Sequence, residues 1–342
     1  MNKIVSPSNI AMITSAVWTT FESLHITHDA LAKAHEQFDA VRLAHAKTKN
    51  NGKPRRCLCI FAPSHSGKSH TVSSYIHNTV LPRLVAEDPS LAAMDADELA
   101  RKQKKVVHVT LSAQATPKSL ATDILIAFED PNPDKGTKQS LWGRVYKLIR
   151  DLGVEMLVID EVQHLANKRI KMSATGDQIV FDHSRDQNVA DTLKVMMIRG
   201  SVPLVFMGIL QARDLVMAST QFKGRVLDEI EFETPRWAVE KERLDFMSFC
   251  GRLALKLKET GLFEEPPPLV NDDIPSRLYV ASRGRLGLLC RIVEKATILA
   301  LTRGNKVLTR KDLEEAVDII IVGRGELAEN PFHAAPKSLE LV

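Results

Sequence analysis

Short apolar runs alternate with longer segments of helical spacing through the first two thirds of the chain. Each run is bounded by turn-forming or charged residues, which is typical of a buried strand. The five predicted strands are CLCIFAP (57–63), VVHVTLS (106–112), EMLVID (155–160), VPLVFMG (202–208) and EIEFETP (229–235). Helical patterns lie between them, at 28–47, 69–85, 117–128, 139–152 and 189–200, with a polar insertion near 167–188. This alternation predicts an α/β fold with a parallel sheet covered on both faces.

The strand pattern ends at Arg236, and the segments that follow have only helical spacing. We therefore predict a domain boundary near this residue. The predicted organisation is an N-terminal helical extension (1–50), an α/β domain (51–236), a small helical domain (237–322) and a flexible or partner-binding tail (323–342).

Composition narrows the class of protein without naming a function. With 342 residues, 44% hydrophobic and 26% charged, the chain is typical of a globular protein. Its net charge of +4 permits nucleic-acid binding but does not argue for it. The four cysteines form no C-x-x-C pair, and no apolar run approaches the roughly 18 residues of a membrane helix. We expect a cytoplasmic protein without a membrane partner.

A candidate phosphate loop directly follows the first predicted strand, in FAPSHSGKSH at 61–70. It matches G-x-x-x-x-G-K-[ST] except that Ala62 replaces the first glycine, which an alanine with negative φ can do. In such a loop successive N–H groups point at the anion, and the next helix adds its positive end. The residues predicted to contact a nucleotide here are Pro63, Ser64, His65, Ser66, Gly67, Lys68, Ser69 and His70.

The third predicted strand ends in adjacent carboxylates, Asp160 and Glu161. Downstream of a lysine loop, this pair is typical of a Walker-B motif. Ser69 and Asp160 would then hold Mg²⁺, Lys68 would bind the β- and γ-phosphates of ATP, and Glu161 would polarise the attacking water. The sequence therefore predicts an ATPase with ATP and Mg²⁺ as cofactors.

Three segments together resemble the TniB/TnsC family, which are AAA+ ATPases of transposons related in role to MuB. They are KLIRDLGVEMLVIDEVQHL (147–165), VPLVFMGILQARDLV (202–216) and FETPRW (232–237). The resemblance extends from about His28 to Ile320, and IDEVQHL and F-x-x-P-R-W are its more specific motifs. It implies an AAA+ P-loop NTPase core, with a five-stranded parallel sheet between helices, and a small C-terminal helical lid domain.

The resemblance also implies a function. ATP-bound subunits of the family assemble head to tail into rings or filaments on duplex DNA and mark an insertion target. They receive a TniQ-like targeting factor and recruit a TnsB/TniA-like transposase, and hydrolysis drives disassembly. Partners expected from this are double-stranded DNA, further copies of the chain, the transposase and the targeting factor.

Three further positions carry over from the family less directly. Arg225 is our candidate for the arginine finger that reaches the neighbouring subunit's γ-phosphate; the alternative is a solvated surface arginine. Arg283 and Arg285 both fit the sensor-2 position of the lid, and Arg285 is taken as the nucleotide contact. The sensor-1 region offers only Gly208 and Ile209, so this residue stays unassigned.

Candidate DNA contacts lie in two loops, and for each the alternative is an ordinary solvated loop. SAQATPKS supplies Thr116, Lys118 and Ser119, and NKRIK supplies Lys168 and Arg169, all suited to backbone phosphates. Two other functions remain open. A replication initiator or loader-type AAA+ ATPase need not coat duplex DNA, and a nucleotide-gated scaffold with negligible hydrolysis would not need Glu161.

Overall fold

The computed structural model describes residues 7–48, 56–113, 115–165, 168–173, 176–181, 192–193, 195–197, 202–217 and 224–333. Two compact units make up the chain. The α/β unit contains residues 30–64 and 68–232, and the helical unit contains residues up to 29, residues 65–67 and those from 233 onward. The chain passes into the helical unit close to the predicted boundary near 236.

The strands, in chain order, are β1 Cys57–Phe61, β2 Val106–Thr110, β3 Met156–Asp160, β4 Lys168–Ser173, β5 Gly176–Phe181, β6 Leu204–Gly208 and β7 Val226–Glu231. The helices are α1 Pro7–Ser23, α2 Asp29–Thr48, α3 Lys68–Tyr75, α4 Leu81–Glu87, α5 Ala96–Lys102, α6 Pro117–Ala127, α7 Lys138–Asp151, α8 Ala212–Met217, α9 Glu240–Glu259, α10 Ile274–Ser282, α11 Leu286–Thr302 and α12 Arg310–Val317. Residues 192–193 and 195–197 are also helical. None of the described helices has the length and apolar character needed to cross a membrane.

Five parallel strands form the central sheet in the order β2-β3-β6-β1-β7, which confirms the predicted sheet. Every residue of β1, β3 and β6 is buried, and this explains their continuous apolar runs. Because β1 pairs with β6 on one side and β7 on the other, its carboxyl end lies where ligands bind in open parallel sheets.

The predicted N-terminal extension (1–50) is not a separate body. Ala34, Phe38 and Val41 on α2 are buried in one core cluster with Leu58 and Ile60 of β1. Because α2 covers the sheet in this way, it is part of the α/β unit, whereas residues before 30 belong to the helical unit.

The helix after the phosphate loop differs from the single helix that was predicted over 69–85. A π-helical turn, Ile76–Val80, separates α3 from α4. Pro82 has no N–H to donate to a preceding carbonyl, so a widened turn before it relieves the ladder.

The polar insertion near 167–188 contains a hairpin that the sequence reading missed. Strands β4 and β5 pair antiparallel, with Lys168 opposite Phe181 and Ser173 opposite Gly176. The hairpin forms its own two-stranded sheet.

The helical unit buries a core between α9, α10, α11 and α12 that includes Phe246, Leu278 and Ile292. The first part of the segment predicted as a flexible or partner-binding tail (323–342) packs within the helical unit. Asn330 Nδ2 donates to the Asp318 carboxylate at 2.7 Å, and Phe332 is only 6% exposed. Asn330 thus lies at the end of α12 and Phe332 beside Arg310 at its start, while residues 334–342 lie outside the described residues.

Candidate nucleotide site

Three of the predicted phosphate and metal residues meet at the carboxyl ends of β1 and β3. Lys68 and Ser69 begin α3, and Asp160 ends β3. The Ser69 hydroxyl donates to Asp160 Oδ2 at 2.8 Å. Lys68 Nζ donates to the carbonyl oxygens of Ala62 and Pro63 at 2.8 and 2.9 Å. The predicted lysine, hydroxyl and metal-bearing carboxylate therefore come together, although they are separated by 91 positions in sequence.

The loop between β1 and α3 has the backbone of a phosphate cradle. Ala62 keeps a negative φ, as its place in the pattern requires, whereas Gly67 has φ +95, which favours glycine. A Cβ on Gly67 would meet no atom within 4 Å, so the inside of the turn is open. Ser66 Oγ is buried and has no hydrogen-bond partner within the part of the chain that the structure describes. An orphaned donor beside an open turn fits a phosphate group.

The remaining predicted loop residues lie along this turn and the first turn of α3. Ser64 and His65 are exposed, while Pro63 and His70 are partly buried. His65 has φ 61, a second left-handed position in the turn.

Asp160 is 2% exposed and is kept ionised by three donors. Oδ2 accepts hydrogen bonds from His108 Nε2 at 3.1 Å and from the Ser69 hydroxyl at 2.8 Å. Oδ1 accepts one from the Glu161 N–H at 2.8 Å. Burial raises the pKa of Asp160, but these hydrogen bonds outweigh burial and hold its pKa below the usual value. A dry, ionised carboxylate beside a serine hydroxyl is a suitable donor set for Mg²⁺.

His108 is a site residue that sequence reasoning missed. It occupies the middle of β2, opposite Val158 of β3. A histidine in an otherwise apolar strand was the available signal, but its partner is 52 positions away.

Lys68 is a buried cation that is suited to bind an anion. Burial lowers the pKa of its ammonium group, and the nearby carboxylates of Asp160 and Glu161 oppose that effect. The hydrogen-bond partners of this ammonium group are neutral loop carbonyls, and phosphate oxygens would be stronger acceptors for it.

Glu161 directly follows β3 and has φ 60, a conformation that residues other than glycine seldom adopt. The hydrogen bond from its N–H to Asp160 holds the backbone there. The backbone of the residue that was predicted as the base is thus tied to the carboxylate that was predicted as the metal ligand.

Arg225 lies near the amino end of β1, whereas the phosphate loop follows the carboxyl end of that strand. Its carbonyl accepts the N–H of Cys57, the first residue of β1, at 3.0 Å. The five residues of β1 separate this point from the loop by about 13 Å. Arg225 Nη1 is buried and has no hydrogen-bond partner among the described residues.

In the helical unit, Arg283 and Arg285 have different surroundings. Arg283 has φ 51, ends α10 and donates to the carbonyl of Glu326 at 2.6 Å. Arg285 precedes α11 and donates to the Glu326 carboxylate at 3.1 Å. The sequence could not choose between them, and both have partners here.

His65 belongs to this helical unit and is close to Arg285 and to Arg291, which the sequence reading had not singled out. Burial, Arg291 and Arg285 hold the pKa of His65 below its usual value. Gly287 allows α11 to approach, since a Cβ there would lie 2.5 Å from the His65 carbonyl oxygen. The glycine next to the arginines was the signal for this close approach.

The predicted DNA contacts lie in two kinds of structure. Thr116 and Ser119 form the capping box of α6, in which Ser119 N–H donates to Thr116 Oγ1 at 3.1 Å, and Lys118 is exposed. Lys168 and Arg169 are the first two residues of β4, whose side chains lie outside the description.

Comparison with known proteins identifies the fold. Residues 50–216 match a family model described as an AAA domain. The ORC1 protein of Aeropyrum pernix, solved in complex with DNA, is similar over 90% of this chain and 70% of its own, with 17% identity and a TM-score of 0.58. The ORC2 protein of Aeropyrum pernix in its ADP form is similar over 88% of this chain and 72% of its own, with 11% identity and a TM-score of 0.52. No curated protein matches in sequence. Residues 50–216 are similar to an AAA domain, and the fold of the chain is that of an AAA+ P-loop NTPase with a helical C-terminal part.

Proposed function

We propose that this protein is a DNA-binding AAA+ ATPase that assembles head to tail on duplex DNA in its ATP-bound form. One observation carries the proposal. Lys68, Ser69 and Asp160 meet at the carboxyl ends of β1 and β3 and would form one half of an ATP site. Arg225, whose Nη1 has no hydrogen-bond partner among the described residues, lies near the amino end of β1 and would supply the other half. A second copy stacked in the same orientation would bring the two halves together.

Each residue of the first half has a defined task. Lys68 and the loop N–H groups bind the β- and γ-phosphates, and Ser69 with Asp160 holds Mg²⁺. The metal would neutralise charge on the phosphate oxygens. Glu161 takes the proton of the attacking water, and its tie to Asp160 sets its distance from the metal position.

Arg225 completes the site from the neighbouring copy. Arginine stabilises the charge that develops on the γ-phosphate during transfer. Because the length of β1 separates Arg225 from its own phosphate loop, it is suited to act on another subunit. Assembly and hydrolysis are therefore linked.

DNA contact has a direct route to the catalytic carboxylates. The loop after β2, which leads to Thr116 and Lys118, is joined to the turn after β3. His164 Nδ1 donates to the Leu111 carbonyl at 3.0 Å, and Ala115 N–H donates to the His164 carbonyl at 2.9 Å. His164 N–H in turn donates to the Glu161 carbonyl at 2.9 Å. Phosphate contacts at this loop would tighten the segment that holds Glu161.

For the biological role we propose selection of a transposition target, with a transposase and a TniQ-like factor as partners. This rests on the IDEVQHL and F-x-x-P-R-W motifs. A replication initiator or loader is the second candidate, because the similar ORC1 protein was solved with DNA and shares the fold. The two candidate functions differ in one property, since a protein that marks a target must coat duplex DNA of any sequence when it has bound ATP.

The test is steady-state phosphate release with and without duplex DNA, beside electron microscopy with a slowly hydrolysed ATP analogue. We expect DNA-stimulated turnover and continuous assemblies on duplex DNA in the wild type. Lys68→Ala should abolish both, whereas the surface control Lys102→Ala should leave both unchanged. ATP binding without turnover would favour the nucleotide-gated scaffold, and turnover without assembly on DNA would favour the loader.

A further inference from the structure

The buried side chain of Gln163 connects two loops beside the catalytic carboxylates. It is 6% exposed and lies in the 3₁₀ turn Val162–Leu165. Its Nε2 donates to Glu161 Oε2, and its Oε1 accepts the N–H of Ile209 at 3.3 Å. A carboxylate can only accept and a backbone N–H can only donate, so the two contacts fix the orientation of the amide.

The end of β6 is shaped to receive this amide. A Cβ on Gly208 would lie 2.9 Å from Gln163 Oε1 and 2.8 Å from Val162 Cγ2. Distances below 3.0 Å are essentially never seen for real Cβ atoms, so a side chain at 208 would require Gln163 and Val162 to move from their present positions. Gly208 and Gln163 are therefore matched.

This match explains a gap in the sequence. β6 lies between β1 and β3, so its carboxyl end is next to both the phosphate loop, which follows β1, and Asp160, which ends β3. A polar side chain was expected there, yet the chain has Gly208 and Ile209. The space beside Gly208 is filled instead by the amide of Gln163, which comes from the β3 side.

We infer that Gln163 is the positioning residue for Glu161, acting from the turn after β3 in place of a polar side chain at the end of β6. This inference rests on the proposed ATPase function. A general base must be held in one orientation to act on water, and misplacement by about 1 Å lowers a rate about 100-fold. The amide supplies that restraint, because it holds the Glu161 carboxylate at one end and the Ile209 backbone at the other.

The experiment separates positioning from simple space-filling. Gln163→Met keeps length and volume but removes both hydrogen bonds, and Gln163→Glu keeps the acceptor for Ile209 but removes the donor to Glu161. For both variants we expect kcat to fall about 10- to 100-fold while the Kd for ATP changes less than about twofold. Of the two variants, Gln163→Glu should have the lower kcat, because it places a second carboxylate next to that of Glu161.

Gln103→Met is the matched control. Gln103 also joins polar groups through its amide, since Nε2 donates to the Val106 carbonyl at 2.8 Å and Oε1 accepts the N–H groups of Lys105 and Val106 at 2.9 and 3.1 Å. It does so without contact to Glu161, so its loss should lower Tm but leave kcat unchanged.

Measurements of kcat, the Kd for ATP and Tm on the full chain decide the matter. A folded Gln163→Met protein with wild-type kcat, beside a wild type that turns over, would overturn the inference alone. So would a rise in kcat. A wild type with no turnover on DNA would overturn the proposed function and this inference together. If Gln163→Met does not fold, Gln163→Glu takes its place, since the side chain keeps its shape. A folded Gln163→Glu protein with wild-type kcat would then overturn the inference.

Discussion

Glu161 holds a left-handed backbone conformation, φ 60, at the point where β3 ends. Such a conformation costs a residue with a side chain about 1 kcal/mol. The surrounding bonds retain it, because the Glu161 N–H is used by Asp160 and its carbonyl by His164. These two hydrogen bonds fix the backbone at the residue that we propose as the base.

Glu161→Gln should separate assembly from turnover. The amide keeps the shape and the backbone bonds but cannot take a proton, so we expect hydrolysis to fall at least about 100-fold. ATP binding and assembly on DNA should persist. Phosphate release and electron microscopy on the same sample measure the two properties.

Glu129→Gln is a control with the same backbone geometry. Glu129 also has φ 60, but its carboxylate forms a surface ion pair with Lys104. Its variant should hydrolyse ATP at the wild-type rate. Wild-type turnover in Glu161→Gln would contradict the assignment of the base.

At the residue scale, the sequence predicted site residues that belong to a local motif. It missed site residues whose partners are distant in sequence or depend on the folded structure. Lys68, Ser69 and Asp160 follow strands in recognisable patterns. His108 and Gln163 are single polar residues within apolar or mixed segments, and their partners depend on strand order and on the space beside Gly208. No local pattern encodes that space.

Helix α2 is attached to the α/β unit by a polar network as well as by apolar packing. Arg42, 7% exposed, donates to Glu155 through Nε at 3.1 Å and Nη2 at 2.5 Å. Arg83 donates to the same carboxylate at 2.9 Å. Arg42 Nη1 also donates to Tyr75 and to Asp39. The network joins α2, α3 and α4 to the start of β3.

Removing the charge of Glu155 should destabilise the α/β unit. Glu155→Gln leaves the buried Arg42 with the partly exposed Asp39 as its remaining anion, and we expect the free energy of unfolding to fall by about 2 kcal/mol at pH 7. Glu98→Gln, which removes the exposed pair with Lys102, should cost less than about 0.5 kcal/mol. Urea unfolding of the three proteins measures the difference.

The effect should also depend on pH. Burial raises the pKa of Glu155, but hydrogen bonds from Arg42 and Arg83 outweigh it and leave the pKa lower than 4.5, its ordinary value. A lowered folded-state pKa adds stability above the unfolded pKa and loses it as pH falls through the folded pKa. The gap between wild type and Glu155→Gln should therefore narrow below about pH 4.5. A gap that widens on acidification would contradict this account.

At the scale of elements, apolar periodicity predicted the strands and most helices because burial dictates it. The π-helical turn at Ile76–Val80 was missed, since it arises from one proline within a good helical pattern. The β4–β5 hairpin was read as a polar insertion because its strands contribute to a separate two-stranded sheet and not to the parallel core.

At the scale of the whole molecule, the sequence indicated the order of units better than their membership. The chain enters the helical unit at residue 233, yet residues before 30 also belong to that unit, and α2 belongs to the other. Membership follows from which core each face covers, and the spacing within a helix does not reveal that. Residues 65–67 group with the helical unit, in which Gly287 of α11 lies close to the His65 carbonyl.

The central claim is that the ATP site of one copy is completed by Arg225 of the next copy. It is tested most directly by mixing Glu161→Gln with Arg225→Ala on duplex DNA and measuring phosphate release. Each protein alone should be nearly inactive. In a 1:1 mixture of head-to-tail copies, about a quarter of the interfaces join an intact Glu161 to an intact Arg225.

A mixture of Glu161→Gln with Lys68→Ala is the control, because both changes fall in the same half of the site and no interface regains a complete set. We predict recovery to about a quarter of the wild-type rate in the first mixture and none in the second. A first mixture no more active than the mean of its two components, or full activity in Arg225→Ala alone, would contradict the account.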